Sequence, residues 1–467
     1  MTREAILAGY HQHVIPEYTI PEREFDLANL IATRALPFSL VDQELFQKLT
    51  GLTHDRNWIT QKIAQLAQTI RQTQFNQMLP YVDIYDRETC SLFTDGWEMP
   101  NGTHVWAFMI ATAHNIYFVG LKVSESSVNA FWLAKTIHDI IIELQEKKQM
   151  VVVALCTDNA SVIKCAHKML QNQVTETYGV LTDELSIQVV ITRTIPHFMC
   201  VCHSADLAIR DYVIHYDLKK QILLACKQLD VEFSYCPTRW FSLYETMILI
   251  QQKDKNDFYE LKKHTQVIKL MSQAIGMMEG NEVTQTQVKI VMDWLKDDLY
   301  ELNNSYANEM LTILVEREKK HFQLHYDIAK LQLVLQHDTQ VTLVELRNLI
   351  VRLNLSFGLH MDEICIWEYK NKAVSQEDLQ FPLKTQYARI CKQTSYMCRI
   401  MECLVASEAE IERINSHMRR QIHYQRSQLS PSTIENLLYV KYSNFTWIQF
   451  KEAKKKVTVV QQQVGVI

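Results

Sequence analysis

The sequence predicts an α/β fold: a mixed sheet laid down in the order βββαβα, interrupted by an all-α insertion and preceded by a helical N-terminal region. Three observations carry this. Short apolar segments bounded by turn residues cluster between residues 88 and 205. One of them, Met150–Cys156, is apolar throughout, as a strand covered on both faces would be. Nearly everywhere else, apolar residues recur at helical spacing.

Residues 1–85 form the helical N-terminal region. Phe25, Leu27, Leu30 and Ile31 fall at helical spacing, Ala35–Val41 breaks the pattern, and an amphipathic helix is predicted around Asn57–Gln77. Residues 86–244 hold the first part of the α/β core. Cys90–Thr94 predicts a short strand ending at Asp95-Gly96. His104–Ala113 and Asn115–Leu121 predict a hairpin turning near His114-Asn115. Ser127–Lys147 then reads as a long amphipathic helix and Met150–Cys156 as the buried fourth strand, followed by Thr157-Asp158-Asn159. Leu185–Ile195 and Phe198–Cys202 predict one or two more strands. A ribonuclease-H-like sheet begins in this way, although many functions share the order.

Residues 245–400 form the helical insertion, with Val288, Val291, Met292 and Leu295, and later Ile328, Leu331, Val334 and Leu335, on its apolar faces. Residues 401–450 hold a core-completing helix and the apolar segment Ile434–Val440, before a basic and polar tail at 451–467.

Bulk properties agree. A chain of 467 residues that is 47% hydrophobic can bury a large core, and its length suggests about two to four domains. Only 10 glycines and 9 prolines argue against long linkers. A net charge of −5 excludes a broad basic field, so any nucleic acid must be met by local patches, such as Arg419–Arg420 through Arg426 and Lys451 with Lys454–Lys456. The start of the chain has no apolar signal-peptide core, so the eleven cysteines suggest a reducing compartment. No apolar run approaches the ~20 residues of a membrane span.

Asp95 and Asp158 are placed after the first and fourth strands, which lie side by side in a sheet of this order. Carboxylates at neighbouring strand ends can share divalent cations for phosphodiester cleavage. Taken singly, each Asp can equally be a helix cap or a turn residue. An exonuclease of the same fold would carry Asp-x-Glu on the first strand. The nearest Glu, Glu98, is three positions from Asp95 and points to the opposite face. His197, Cys200, Cys202 and His203 suggest zinc, but no second ligand pair of suitable spacing lies nearby. Cys200 is therefore expected to pack and His203 to be a polar group near the acids.

Six elements, in order, resemble the hAT superfamily of DNA transposases. They are LPFSLVDQELF at Leu36–Phe46, SLFTDGWEMPNGTHVWAFMIATAHN at Ser91–Asn115, and VVALCTDNASVIKCAHKML at Val152–Leu170. MCVCHSADLAIRDYV at Met199–Val213 contains Cys200-x-x-His203, and CPTRWFSLYETM at Cys236–Met247 contains Thr-Arg-Trp-x-Ser-x-Tyr. VASEAEIERINSHMRRQIHYQRSQLSPSTIENLLYVK at Val405–Lys441 is similar to the family's C-terminal dimerisation region. The resemblance runs from about residue 26 to 445. It implies a ribonuclease-H-like core whose third acid is Glu412, so that Asp95, Asp158 and Glu412 hold two Mg²⁺ or Mn²⁺ ions.

It also implies that Trp240 stacks on a displaced base, worth roughly 1–3 kcal/mol, and that Arg239 holds a phosphate. Without the resemblance, Trp240 reads equally as a core tryptophan and Glu412 as an exposed helical glutamate. Three departures are visible. No cysteine precedes Cys90, so the family's N-terminal BED zinc finger is not expected; Asn415 stands where the family usually has Phe; and residues 245–400 are short for the insertion.

The function implied is metal-dependent DNA strand cleavage and strand transfer by a nuclear protein that is at least a dimer, acting on transposon ends and target DNA. The alternative is a domesticated or degenerate derivative that binds DNA and dimerises without catalysis. A third reading is a helical scaffold whose acids are caps.

Overall fold

The computed structural model describes residues 20–34, 36–73, 87–99, 102–124, 128–148, 150–158, 160–170, 175–182, 185–192, 195–233, 242–253, 259–280, 283–371, 383–388, 391–414 and 429–443. The protein is mixed α/β and mostly helical, with one five-stranded mixed sheet. It divides into two compact units. The first comprises Met1–Asn76, Tyr117–Leu121 and Ile414–Ile467; the second comprises Gln77–Ile116 and Lys122–Arg413. Residues 86–244 and the helical stretch 245–400 thus fall largely into one unit.

In the first unit, helices α1 (Ile20–Arg34), α2 (Glu44–Thr50) and α3 (Arg56–Thr73) precede the sheet. Phe25, Leu27 and Ile31 of α1 are buried, but Leu30 is exposed. The break between α1 and α2 is a 3₁₀ turn, Phe38–Asp42. The last described helix, Pro431–Tyr442, packs on α1 and α3 and buries Ile434, Leu437, Leu438 and Val440 within this unit. Glu435 fixes it, pairing with Arg71 at 2.9 Å and accepting from the Leu121 backbone N–H at 3.1 Å.

The five-stranded sheet contains β1 (Glu88–Glu98), β2 (His104–Ala111), β3 (Ile116–Ser124), β4 (Met150–Thr157) and β7 (His197–Met199), in the order β3-β2-β1-β4-β7. Helix α4 (Ala130–Lys148) precedes β4 and α5 (Ser161–Leu170) follows it, so the order from Glu88 to Leu170 is β-β-β-α-β-α. β1 pairs antiparallel with β2 and parallel with β4, and β4 pairs parallel with β7. All eight residues of β4 are buried. Unbroken β-branched and apolar sequence suits a central strand with no wet face.

Two strand expectations are corrected. β1 extends to Glu98, because β2 continues to pair along it, and Asp95 stands opposite Ala107. Leu185–Thr192 is a strand as expected, β6, in a separate antiparallel pair with β5 (Thr175–Thr182). Phe198–Cys202 is a strand only as far as Met199, since helix α6 (Val201–His215) starts two residues later.

From α6 onward the unit is helical: α7 (Leu218–Leu229), α8 (Ser242–Lys253), α9 (Tyr259–Met278), α10 (Gln285–Glu301), α11 (Ser305–His321), α12 (Gln323–Leu335), α13 (Leu343–Phe357), α14 (Glu363–Asn371), α15 (Leu383–Ala388) and α16 (Lys392–Cys403). Val288, Met292, Leu295, Ile328, Leu331, Val334 and Leu335 are buried along their apolar faces. Buried His325 of α12 braces the sheet edge, its Nε2 donating to the Met199 carbonyl at 2.9 Å.

Candidate functional site

Strand register brings the two aspartates together. β1 and β4 run parallel, with Leu92 opposite Leu155 and Phe93 opposite Cys156. The offset is 63 residues (156 − 93), and the same offset relates Asp95 to Asp158. The pairing ends there, and Asp95 and Asp158 each lie two residues beyond it.

Asp95 lies within β1 rather than at its end; it accepts a hydrogen bond from the Gly96 N–H at 2.7 Å. Gly96 is required there: a Cβ would sit 2.5 Å from the Trp106 ring. Asp158 follows β4, and its Oδ1 accepts from the Ala160 N–H at 2.9 Å, a turn that leads into α5. Its structural role in the turn and its place beside Asp95 coexist.

A distant segment reaches the same spot through β1. Helix α16 packs on β1, where the Thr89 hydroxyl donates to Arg399 O at 3.1 Å and the Ser91 hydroxyl to Cys403 O at 2.6 Å. The chain then passes the start of α6, where the Val201 N–H donates to Ala406 O at 3.1 Å. Residues 409–414 are helical. Glu412 is half-buried on this stretch, whereas Glu408, which precedes it, is only 1% exposed.

Cys200 is the local anchor. Its thiol caps α6 by accepting from the His203 N–H at 3.4 Å, which accounts structurally for the Cys-x-x-His spacing. The same sulfur accepts from the Glu408 N–H at 3.4 Å, and the Cys200 N–H donates to Thr157 O at 2.9 Å. One residue thus joins the end of β4, the start of α6 and the 407–412 segment.

The acids repel one another. Burial and then the charges of Asp95, Glu279, Asp206 and Asp158 push the Glu412 carboxyl up to about 8. Burial, with Cys200, Asp95, Asp158 and Glu412 around it, pushes Glu408 well above the usual carboxylate range. Burial also raises Asp206, against the opposing pull of Arg210, whose Nε donates to it at 2.7 Å.

A basic side adjoins this cluster. Burial lowers the half-buried His203, with Asp158 opposing and Arg210, Arg317 and Lys164 reinforcing. Helix α6 packs on α11, which carries Arg317. The expected site residues Asp95, Asp158, Glu412 and His203 therefore share one electrostatic neighbourhood. Arg239 and Trp240 lie outside the described residues, as do Asn415 and the two basic patches at 419–426 and 451–456. Glu408, Asp206 and Glu279 were not anticipated; the i, i+4 spacing of Glu408 and Glu412 was the available signal.

Among the described residues, no three His, Cys, Asp or Glu side chains are arranged closely enough to hold a metal ion as they stand. Carboxylate oxygens are nevertheless the hard donors that Mg²⁺ or Mn²⁺ takes. The acids fit such a cation by chemistry. No helix among the described residues is long and apolar enough to cross a membrane. Compared with known proteins, the chain matches no family, and no curated protein is significantly similar to it.

Proposed function

We propose that the chain is a transposase-type enzyme of the hAT superfamily, with a ribonuclease-H-like core, that cleaves and transfers DNA strands using Asp95, Asp158 and Glu412. The observation that supports this is the 63-residue register of parallel β1 and β4, which Asp95 within β1 and Asp158 just after β4 share. Glu412 from the 409–414 stretch joins the same charge cluster. The six ordered elements that resemble the family support the same assignment.

Bound Mg²⁺ or Mn²⁺ would supply Lewis acidity and an activated water or hydroxyl nucleophile. The chain's own part is positional. The sheet fixes the backbones of Asp95 and Asp158, while α16 and the Cys200 anchor deliver the third acid. Asp158 and the cations Lys164, Arg210 and Arg317 all act on His203, and Arg210 and Arg317 are themselves bonded to Asp206 and Asp211. Arg239 and Trp240 are proposed to hold a phosphate and to stack on a base. A nuclear location and a homo-oligomer, at least a dimer, belong to the same proposal.

The test is Mn²⁺-dependent nicking of a pre-cut or hairpinned oligonucleotide. Asp158→Asn should lower it by on the order of a thousandfold or more, with the circular dichroism spectrum unchanged. Undiminished cleavage in this variant would sink the proposal.

A further inference from the structure

We propose that the outer face of α13 is a self-association surface, on which a second copy of the chain lays its own α13 antiparallel. This surface is separate from the C-terminal region that resembles the family's dimerisation segment, and it does not depend on the chemistry proposed above.

Helix α13 is apolar on two opposite faces. Leu346, Leu349, Ile350, Leu353 and Phe357 are buried on its inner face. Val344, Val351 and Leu355 fall within about 40° of one another around the helix, on the side opposite that face. They are 67%, 50% and 76% exposed. A surface helix normally turns polar residues to solvent, and one that is apolar all round is made to be covered. Single exposed apolar residues mean little, but three in line along one helix form a patch. Exposed Asn348 completes the line, and the steps Val344, Asn348, Val351, Leu355 are four, three and four residues, the repeat of a two-helix seam.

Charge decides what covers the stripe. One flank carries Glu345 and Arg352, seven residues apart and half-exposed. Glu345 uses Oε2 on Thr342, leaving Oε1 with Lys330 at 3.8 Å. Arg352 uses Nε and Nη2 on Asp327, leaving Nη1. In an antiparallel pair with a two-fold axis through the middle of the stripe, Glu345 of each copy meets Arg352 of the other. Val344 then meets Leu355, and Asn348 meets Val351. A parallel pair would instead set Arg352 against Arg347 of the second copy, like against like. The flank is thus self-complementary in one orientation only. Asn348 in the seam lowers affinity, and two four-turn helices make less contact than a standard interface of ~1,600 Å², so the association is reversible.

The experiment is sedimentation of the full chain over a range of concentrations, with circular dichroism to check folding. The wild-type chain should associate reversibly. Leu355→Lys, which places a charge in the seam, should weaken association at least about tenfold. Glu345→Lys, which sets like charges against Arg352, should weaken it less. Orientation is read from the double variant Val344→Cys and Leu355→Cys under mild oxidation with oxidised glutathione. The two positions are about 16 Å apart on one helix, too far to bridge within a chain. A disulfide joining position 344 to position 355 therefore comes from two antiparallel copies, and peptide mapping identifies it. Links from 344 to 344 or from 355 to 355 overturn the inference, as does a chain that stays monomeric up to about 100 μM. Wild-type association in Leu355→Lys also overturns it, while leaving the oligomer proposed above standing.

Discussion

Within one unit, buried acids are handled in two ways. In the helical part, Glu318 is 9% exposed and pairs with Lys296 at 3.1 Å while accepting the Tyr326 hydroxyl. Asp327, 5% exposed, takes two hydrogen bonds from Arg352 at 2.8 and 2.7 Å, and a third from Gln323 at 3.0 Å. Around the ends of β1 and β4, by contrast, Glu408 has an oxygen with no partner, and its charged neighbours are other acids. An acid that serves packing is neutralised by its fold, because an unpaired buried charge is destabilising. An acid left among other acids is held by the fold against that cost, which is the pattern of a site rather than of a core.

The contrast can be broken from the paired side first. Asp327→Ala should lower stability by about 3 kcal/mol, the lower end for removing one partner of a buried pair, since half-exposed Arg352 can turn to water. Urea denaturation measures it, and a loss below about 1 kcal/mol would erase the distinction.

Acid provides a second break, of similar size at its limit. Burial pulls His325 down to about 4 from its ordinary 6.5. The unfolded chain takes up the proton first as pH falls, so stability is complete above pH 6.5 and is lost progressively toward pH 4. The shift corresponds to about 3 kcal/mol in full. Urea midpoints at pH 7.5 and 5 should therefore differ less in His325→Gln than in the wild-type chain. An unchanged difference would show that other groups govern the slope.

The smallest effect has the opposite sign. Glu412→Gln removes a carboxyl whose burial among other acids costs the fold, and should stabilise the metal-free protein by about 1 kcal/mol, a shift of about 1–2 °C in Tm, while reducing cleavage. A lower Tm would mean that Glu412 is structural after all.

Much of the sheet was legible because its strands are strongly patterned. Met150–Cys156 reads as a strand buried on both faces, and it falls within β4. The helical periodicity around Val288 and Ile328 marked buried faces correctly. β5 was missed because Thr175–Thr182 mixes polar residues and glycine with few apolar ones and pairs only with its neighbour β6. The Phe198–Cys202 run looked like a strand because apolar residues alone cannot show that Cys200 caps a helix.

The end of β1 was misjudged for a related reason: Asp95-Gly96 reads as a turn, whereas pairing with β2 carries the strand past it. Asp95 and Asp158 could be picked out by their places after apolar runs. Glu408 was passed over: its i, i+4 spacing to Glu412 was visible, but nothing local marks its side chain as interior. That depends on how α16 lies across β1.

That last arrangement bears on how the protein is made. Residues 399–406, which lie along β1 and the start of α6, leave the ribosome long after the strands they meet, and Glu412 follows Asp158 by 254 residues (412 − 158). At the usual ~5–20 residues per second, roughly 13–50 seconds separate the two acids. During that interval the nascent sheet lacks the helix that covers Ser91, and Glu408 and Glu412 are still to come. A growing chain is thus incapable of holding its full set of charges until residue 412 has been added.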